Sequence, residues 1–308
     1  MTPTQLRFLS GFLHGSIYRP DGRSYWNDLL HESPTSVLDK FVADGLLTAA
    51  SLASKLEGEF KATDIKEFLR QRALPQSGRK ADCIARLVAA DPTGMESKVA
   101  GIAAYVCTPK GKEIAEQFLS AEAERSRVAR EKSLRLLQGG DVHGSLVVVA
   151  EFERQQVFQR GVGVDWNNRP SREDADLVHS ILSARPSILK GMPENGWRIF
   201  QTAAAMMEMW GERSAKQWLP EDIAGPTNLD KETAARMILF AGQTKTTLGK
   251  LLQSEYKRVE VLGSDDTSCP PCRKIARRKY RISDAPEIPC PDCTNEAGCR
   301  CMLMPVFE

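Results

Sequence analysis

The sequence predicts a mainly α-helical protein of several domains, on three observations. Apolar residues recur at three- and four-residue spacing along much of the 308-residue chain, the period of a helix with one buried face. Clusters of Pro, Gly and Asn at 167–171, 191–196 and 220–229 interrupt that pattern at intervals suited to separate helices. Six of the eight cysteines crowd into the last forty residues, which marks a small module with its own chemistry. The chain is accordingly expected to divide into an N-terminal region at 1–138, a helical domain at 139–258 and a cysteine-rich module at 259–308.

In the N-terminal region, VLDKFVADGLL is expected to place Val37, Leu38, Phe41, Val42 and Leu46 on one face, with Gly45 closing the helix. Further on, FKATDIKEFLRQRALPQSGRKADCIARLVAAD reads as a helical hairpin. Thr63 is expected to cap its first helix, which turns Ile65, Phe68 and Leu69 inward. Leu74-Pro75 ends that helix and Gly78 permits a turn. The second helix then offers Ile84, Leu87 and Val88. AAYVCTPKGKEIAEQFL follows as a short strand and a helix that Thr108 starts, with Pro109 in its first turn, running to about Gln138. Its middle, SAEAERSRVAREK, is nearly all polar, as in a solvent-facing or spacer helix.

The stretch from Ser145 to Tyr256 predicts four helices, at 145–159, 171–184, 195–210 and 230–256. The segment GWRIFQTAAAMMEMW carries two tryptophans, a phenylalanine and three methionines, a stripe that reads as helical core rather than a binding groove.

Bulk charge offers no argument for nucleic acid, since the net charge is only +2. The longest apolar runs, such as SLVVVA, are too short to cross a bilayer, and MTPTQLRFLSGFLHG lacks the basic start of a secretion signal. A cytoplasmic or virion-internal setting without membrane contact is expected. The four histidines at 14, 31, 143 and 179 are scattered, and GQTKTTLGKL lacks phosphate-loop spacing. Asp165, Glu173, Asp174 and Asp176 form an acidic patch that reads as a helix start, where carboxylates suit the dipole. No motif argues for catalysis.

The hairpin is different. Arg79 and Lys80 stand at the start of its second helix, where unpaired N–H groups favour a phosphate, and Lys66, Arg70, Arg72 and Arg86 add charge nearby. Such contacts position a protein on duplex DNA and read little sequence. Its order of Ile65-Lys66, Leu69, Leu74, Ser77-Gly78, Lys80, Ile84 and Arg86-Leu87 resembles a SAP domain, a small DNA-binding module. The likeness covers about a tenth of the chain, and Ala73 stands where that family usually has glycine. The flanking segments VLDKFVADGLL and YVCTPKGKEIAEQF resemble parts of a winged-helix domain, with the hairpin inserted where its wing should start.

The cysteines open two chemistries. SCPPCRKIA resembles a thioredoxin-type active site, but only 36 residues follow Cys272, too few for the remaining elements of that fold. Metal fits the spacing better. Cys269-x2-Cys272, seventeen residues and Cys290-x2-Cys293 match paired zinc-ribbon knuckles, and Cys299 and Cys301 supply a further pair. One zinc ion per chain on four of these six is expected, with the four left open. A four-thiolate zinc carries about −2. Arg273, Lys274, Arg277, Arg278, Lys279 and Arg281 offset it and leave charge for phosphate. The tail also resembles that of phage Mu-type head-morphogenesis (minor head) proteins, through Asp266, Cys269, Cys272, Tyr280, Pro286, Pro289, Cys299 and Cys301. It lacks the histidine usual before the final Cys-Arg-Cys.

Taken together, the residues favour a non-enzymatic DNA-binding protein with a structural zinc module. Its helical middle would serve a protein partner or self-association. A virion assembly protein is the alternative, and a DNA-processing enzyme with a cryptic site in the helical middle is third.

Overall fold

The computed structural model describes residues 1–18, 25–158, 170–263 and 268–307. The chain is mainly helical and forms two compact units, Met1–Arg125 and Ser126–Glu308. The division falls inside one long helix.

The first unit begins with α1 (Pro3–Ser10), which Thr2 and Gln5 start through a reciprocal capping box. There follow β1 (Ser16–Tyr18), α2 (Tyr25–Leu30), α3 (Pro34–Ala43) and β2 (Leu47–Ala49). Four short helices come next: α4 (Leu52–Glu59), α5 (Ala62–Gln71), α6 (Lys80–Ala90) and α7 (Pro92–Lys98). The unit closes with β3 (Ala103–Cys107) and the start of α8 (Pro109–Gln138). The three strands form an antiparallel sheet in the order β1-β3-β2, with Ser16 opposite Tyr105 and Leu47 opposite Cys107. Strands β2 and β3 are thus neighbours in space, although four helices separate them in sequence. Thr108 caps α8 by accepting from the Gly111 N–H at 3.1 Å, as its sequence predicts.

Two apolar cores result. One gathers Phe8, Leu9, Phe12, Val37, Leu38, Phe41 and Leu46 beneath the sheet helices. The other belongs to the inserted helices alone and holds Leu56, Ile65, Leu69, Cys83, Ile84, Leu87, Met95 and Val99. Gly45 takes φ +68°, and Leu46 N–H reaches back to Phe41 C=O at 2.8 Å, the left-handed closure expected after α3. Val42 departs from expectation and is 44% exposed. At about 100° per residue it lies roughly a quarter-turn from the stripe of Val37, Leu38 and Phe41, so the helix turns it to water.

The second unit packs α9 (Val142–Arg154), α10 (Arg172–Leu182), α11 (Trp197–Trp210) and α12 (Lys231–Leu252) around Phe200, Met206, Met209 and Trp210, all fully buried. The Met and aromatic stripe of α11 is therefore core. Gly242 lets α12 approach α10 closely: a Cβ there would lie 2.7 Å from Ile181 Cα. The tail adds β4 (Arg258–Leu262), α13 (Pro270–Ile275), β5 (Lys279–Arg281) and β6 (Met302–Pro305). Its antiparallel sheet runs β5-β4-β6, with Val259 opposite Tyr280 on one side and Pro305 on the other. The apolar core is continuous from Leu137 through the four helices to Cys272, Cys299 and Leu303, across the 258/259 boundary drawn from sequence. No helix among the described residues is long and apolar enough to cross a membrane.

Candidate nucleic-acid interface and metal centre

The hairpin α5–α6 is built by local rules. Thr63 does not cap α5. The helix begins earlier, at Ala62, because Asp64 accepts the Lys61 N–H at 2.8 Å and satisfies the exposed end two residues upstream. At the far end Leu74 N–H bonds Leu69 C=O at 2.9 Å and Ala73 N–H bonds Arg70 C=O at 3.0 Å. These two bonds form a Schellman closure, which holds Ala73 at φ +55°. That is the position where the resembling family carries glycine, and alanine occupies it in a left-handed conformation that its Cβ disfavours. Gly78, at φ +111°, makes the following turn. The thiol of buried Cys83 faces the carbonyls of Gln76, Ser77 and Gly78 at 3.7–3.9 Å, a turn contact that hydrophobic periodicity does not reveal.

The six cations singled out from sequence fall into three groups. Arg72 and Arg86 serve the fold. Arg72 donates through Nε and Nη2 to the Asp91 carboxylate at 2.8 and 2.6 Å, which holds the Asp91 carboxyl below its ordinary range. Arg86 donates to the carbonyls of Pro75 and Ser77 and clamps the turn. Arg70 makes a surface ion pair with Glu67 at 2.8 Å that is worth little, whereas half-buried Lys80 donates to the Glu57 C=O and lies 3.4 Å from its carboxylate. Lys66 and Arg79 are exposed and enter no ion pair among the described residues. The Asp82 carboxylate accepts the Arg79 N–H at 3.0 Å, so one of the amides expected to greet a phosphate is already engaged.

Residues 58–92 match the SAP-domain family model. This stretch is a SAP domain. Its match spans α5 and α6, at the centre of the second core, and a SAP domain supports nucleic-acid binding. The SAP domain covers a small part of the sequence, and neither a curated protein nor a solved structure matches the chain.

The tail cysteines, far apart in sequence, converge. Cys269, Cys272 and Cys293 have their sulfurs within 4.8 Å of one another, as do Cys272, Cys299 and Cys301. Cys269 Sγ lies 3.6 Å from Cys293 Sγ, and Cys272 Sγ lies 3.9 Å from Cys299 Sγ. A tetrahedral ion with bonds of about 2.3 Å sets its sulfurs about 3.8 Å apart, so these separations already suit a metal. Backbone N–H groups point at sulfur, from Thr294 to Cys269 at 3.4 Å and from Cys290 to Cys299 at 3.2 Å. These donors stabilise thiolate charge. Burial works against ionisation of Cys269, but hydrogen bonds led by the Cys272 and Thr294 backbones bring it down to about 7. For Cys299 the hydrogen bond from the Cys301 thiol outweighs burial, and the group falls to about 5. Cys293 is pushed up to about 11 and Cys290 is raised, both chiefly by burial. Cys272 is raised mainly by burial, and Cys301 mainly by its hydrogen bond to Cys299.

The knuckles are anchored on α12. Cys299 N–H meets Met237 Sδ at 3.2 Å, and Gly298, at φ +80°, packs so close that a Cβ would lie 2.7 Å from Met237 Cε. The six basic residues after Cys272 are all at least partly exposed, around β5. Of the acidic patch, Asp174 shares a capping box with Ser171, Glu173 pairs with Lys250 at 2.5 Å, and Asp176 lies 3.8 Å from Arg172. Those carboxylates serve the start of α10, whereas Asp165 and the tail's Asp266 lie outside the described residues.

Proposed function

We propose that the chain binds duplex DNA without catalysing its chemistry, holding the phosphate backbone with little regard to sequence. The SAP domain carries this reading, because its hairpin packs on a small core of its own with the flanking helices and leaves Lys66 and Arg79 exposed, with no ion pair among the described residues. The first unit supports a further element. Its helix–strand–helix–helix–strand order and β1-β3-β2 sheet suit a winged helix in which the SAP domain occupies the wing. Helix α3, the one such a fold lays in a groove, carries Asp39 and a lysine, Lys40, already paired with Glu32 at 2.6 Å. DNA contact therefore falls to the insertion. The tail cysteines would hold zinc as a scaffold, with the basic residues from Arg273 to Arg281 as a second phosphate surface.

Lys66→Ala with Arg79→Ala tests the reading. Affinity for unrelated duplexes should fall alike, and the slope of log K against log salt should flatten by about 0.9 for each phosphate no longer neutralised. Arg72→Ala should instead weaken the hairpin fold. An unchanged slope in the double variant would move the DNA interface away from the SAP domain.

The virion-assembly alternative rests on the tail's sequence likeness to phage Mu-type minor head proteins alone, since the cysteine groups suit a metal under either reading. Under it, or through self-association of the helical middle, exposed apolar residues such as Leu252 would meet a protein partner. A monomer by sedimentation at high concentration would count against self-association.

A further inference from the structure

We propose that the six tail cysteines hold two metal ions, bridged by the thiolates of Cys272 and Cys301. The inference rests on the metal reading above and replaces the single ion expected from spacing. A cavity of about 10 Å³ lies between the knuckles, lined by Cys269, Cys272, Cys293 and Cys301, the donor number of one tetrahedral ion. Two of those four thiols belong to a second group as well: Cys272 and Cys301 both lie within 4.8 Å of Cys299. Cys290 completes that side. Its backbone N–H holds Cys299 Sγ at 3.2 Å, which sets Cys290 beside that group. One ion then takes Cys269 and Cys293 as its own ligands, the other takes Cys290 and Cys299, and both share Cys272 and Cys301. Two four-coordinate ions that share two thiolates need six cysteines, and six are gathered here.

Charge does not oppose that count. One divalent ion on four thiolates carries about −2, and two on six thiolates carry about −2 as well. The arginines and lysines of the tail therefore balance either state equally. A single ion in the first cavity would leave the buried sulfurs of Cys290 and Cys299, 6% and 1% exposed, without a ligand role beside a bound metal. The second ion gives both thiols a ligand role.

Metal content and native mass of the full chain, saturated with zinc under reducing conditions, decide the count. Two ions per chain are expected, and NMR-active cadmium in their place should give two resonances coupled through shared sulfur. One ion per chain overturns this inference and leaves the metal reading standing, whereas no bound ion overturns both. Two uncoupled resonances would remove the bridges. Cys290→Ser should lower the content from two ions to one, since Cys290 serves only the second. If that variant binds as much metal as the unaltered chain, the assignment of Cys290 fails.

Discussion

The SAP domain and the cysteine tail are of comparable size but are held together by different means. The SAP domain packs Ile65, Leu69, Cys83, Ile84 and Leu87 together, with Leu56, Met95 and Val99 of the flanking helices closing the same core, and needs no ligand for it. The tail buries five cysteines beside Val259, Val261, Ile282, Ile288 and Leu303, and these continue the core of α12 beneath it. A region with its own core can be moved or mutated by itself. A region organised by thiols stands or falls with what the thiols bind and with the helices they lean on.

Removing the metal should separate the two regions most widely. Structural zinc in small thiolate modules contributes apparent free energies of about 10–16 kcal/mol. Chelation under reducing conditions should therefore speed hydrogen exchange across β4–β6 while α5 and α6 keep their protection. Equal protection in both regions with and without chelator would end the contrast.

Leu69→Ala reverses the experiment. Leu69 is fully buried in the SAP core, and such truncations cost about 2–5 kcal/mol. The variant should lose helical signal and duplex affinity, and its metal content should match the parent. A fall in metal content would mean that the two regions are coupled.

The smallest expected effect lies in the SAP turn. Ala73 holds φ +55°, and Ala73→Gly removes the Cβ strain of that left-handed position, for a gain of about 1 kcal/mol in SAP-domain stability. Chemical denaturation followed through the SAP helices measures it. A destabilised glycine variant would show that the turn is not strained, and the tail should register no change either way.

Much of this organisation is legible in sequence. The strand before Thr108, the helix from Pro109 to Gln138 and the inward faces of α5 and α6 follow from periodicity and capping residues, because these are local effects. Thr63 and Val42 depart from the sequence pattern for local reasons too: a competing carboxylate at Asp64 and an apolar residue just outside the stripe. The charged surface is harder to read. Periodicity marks Arg72 and Arg86 as polar and near the turn, but it does not show that one meets Asp91 and the other backbone carbonyls.

The sequence alone determined the helical class, the SAP hairpin and the presence of six thiols, because each is written in residues close together along the chain. Only the tertiary structure decided which cations are engaged by the fold, which thiols meet, and that the tail continues the core of the helical middle. Those outcomes depend on contacts between residues far apart in sequence, such as Cys299 with Met237, and no local pattern encodes such a meeting.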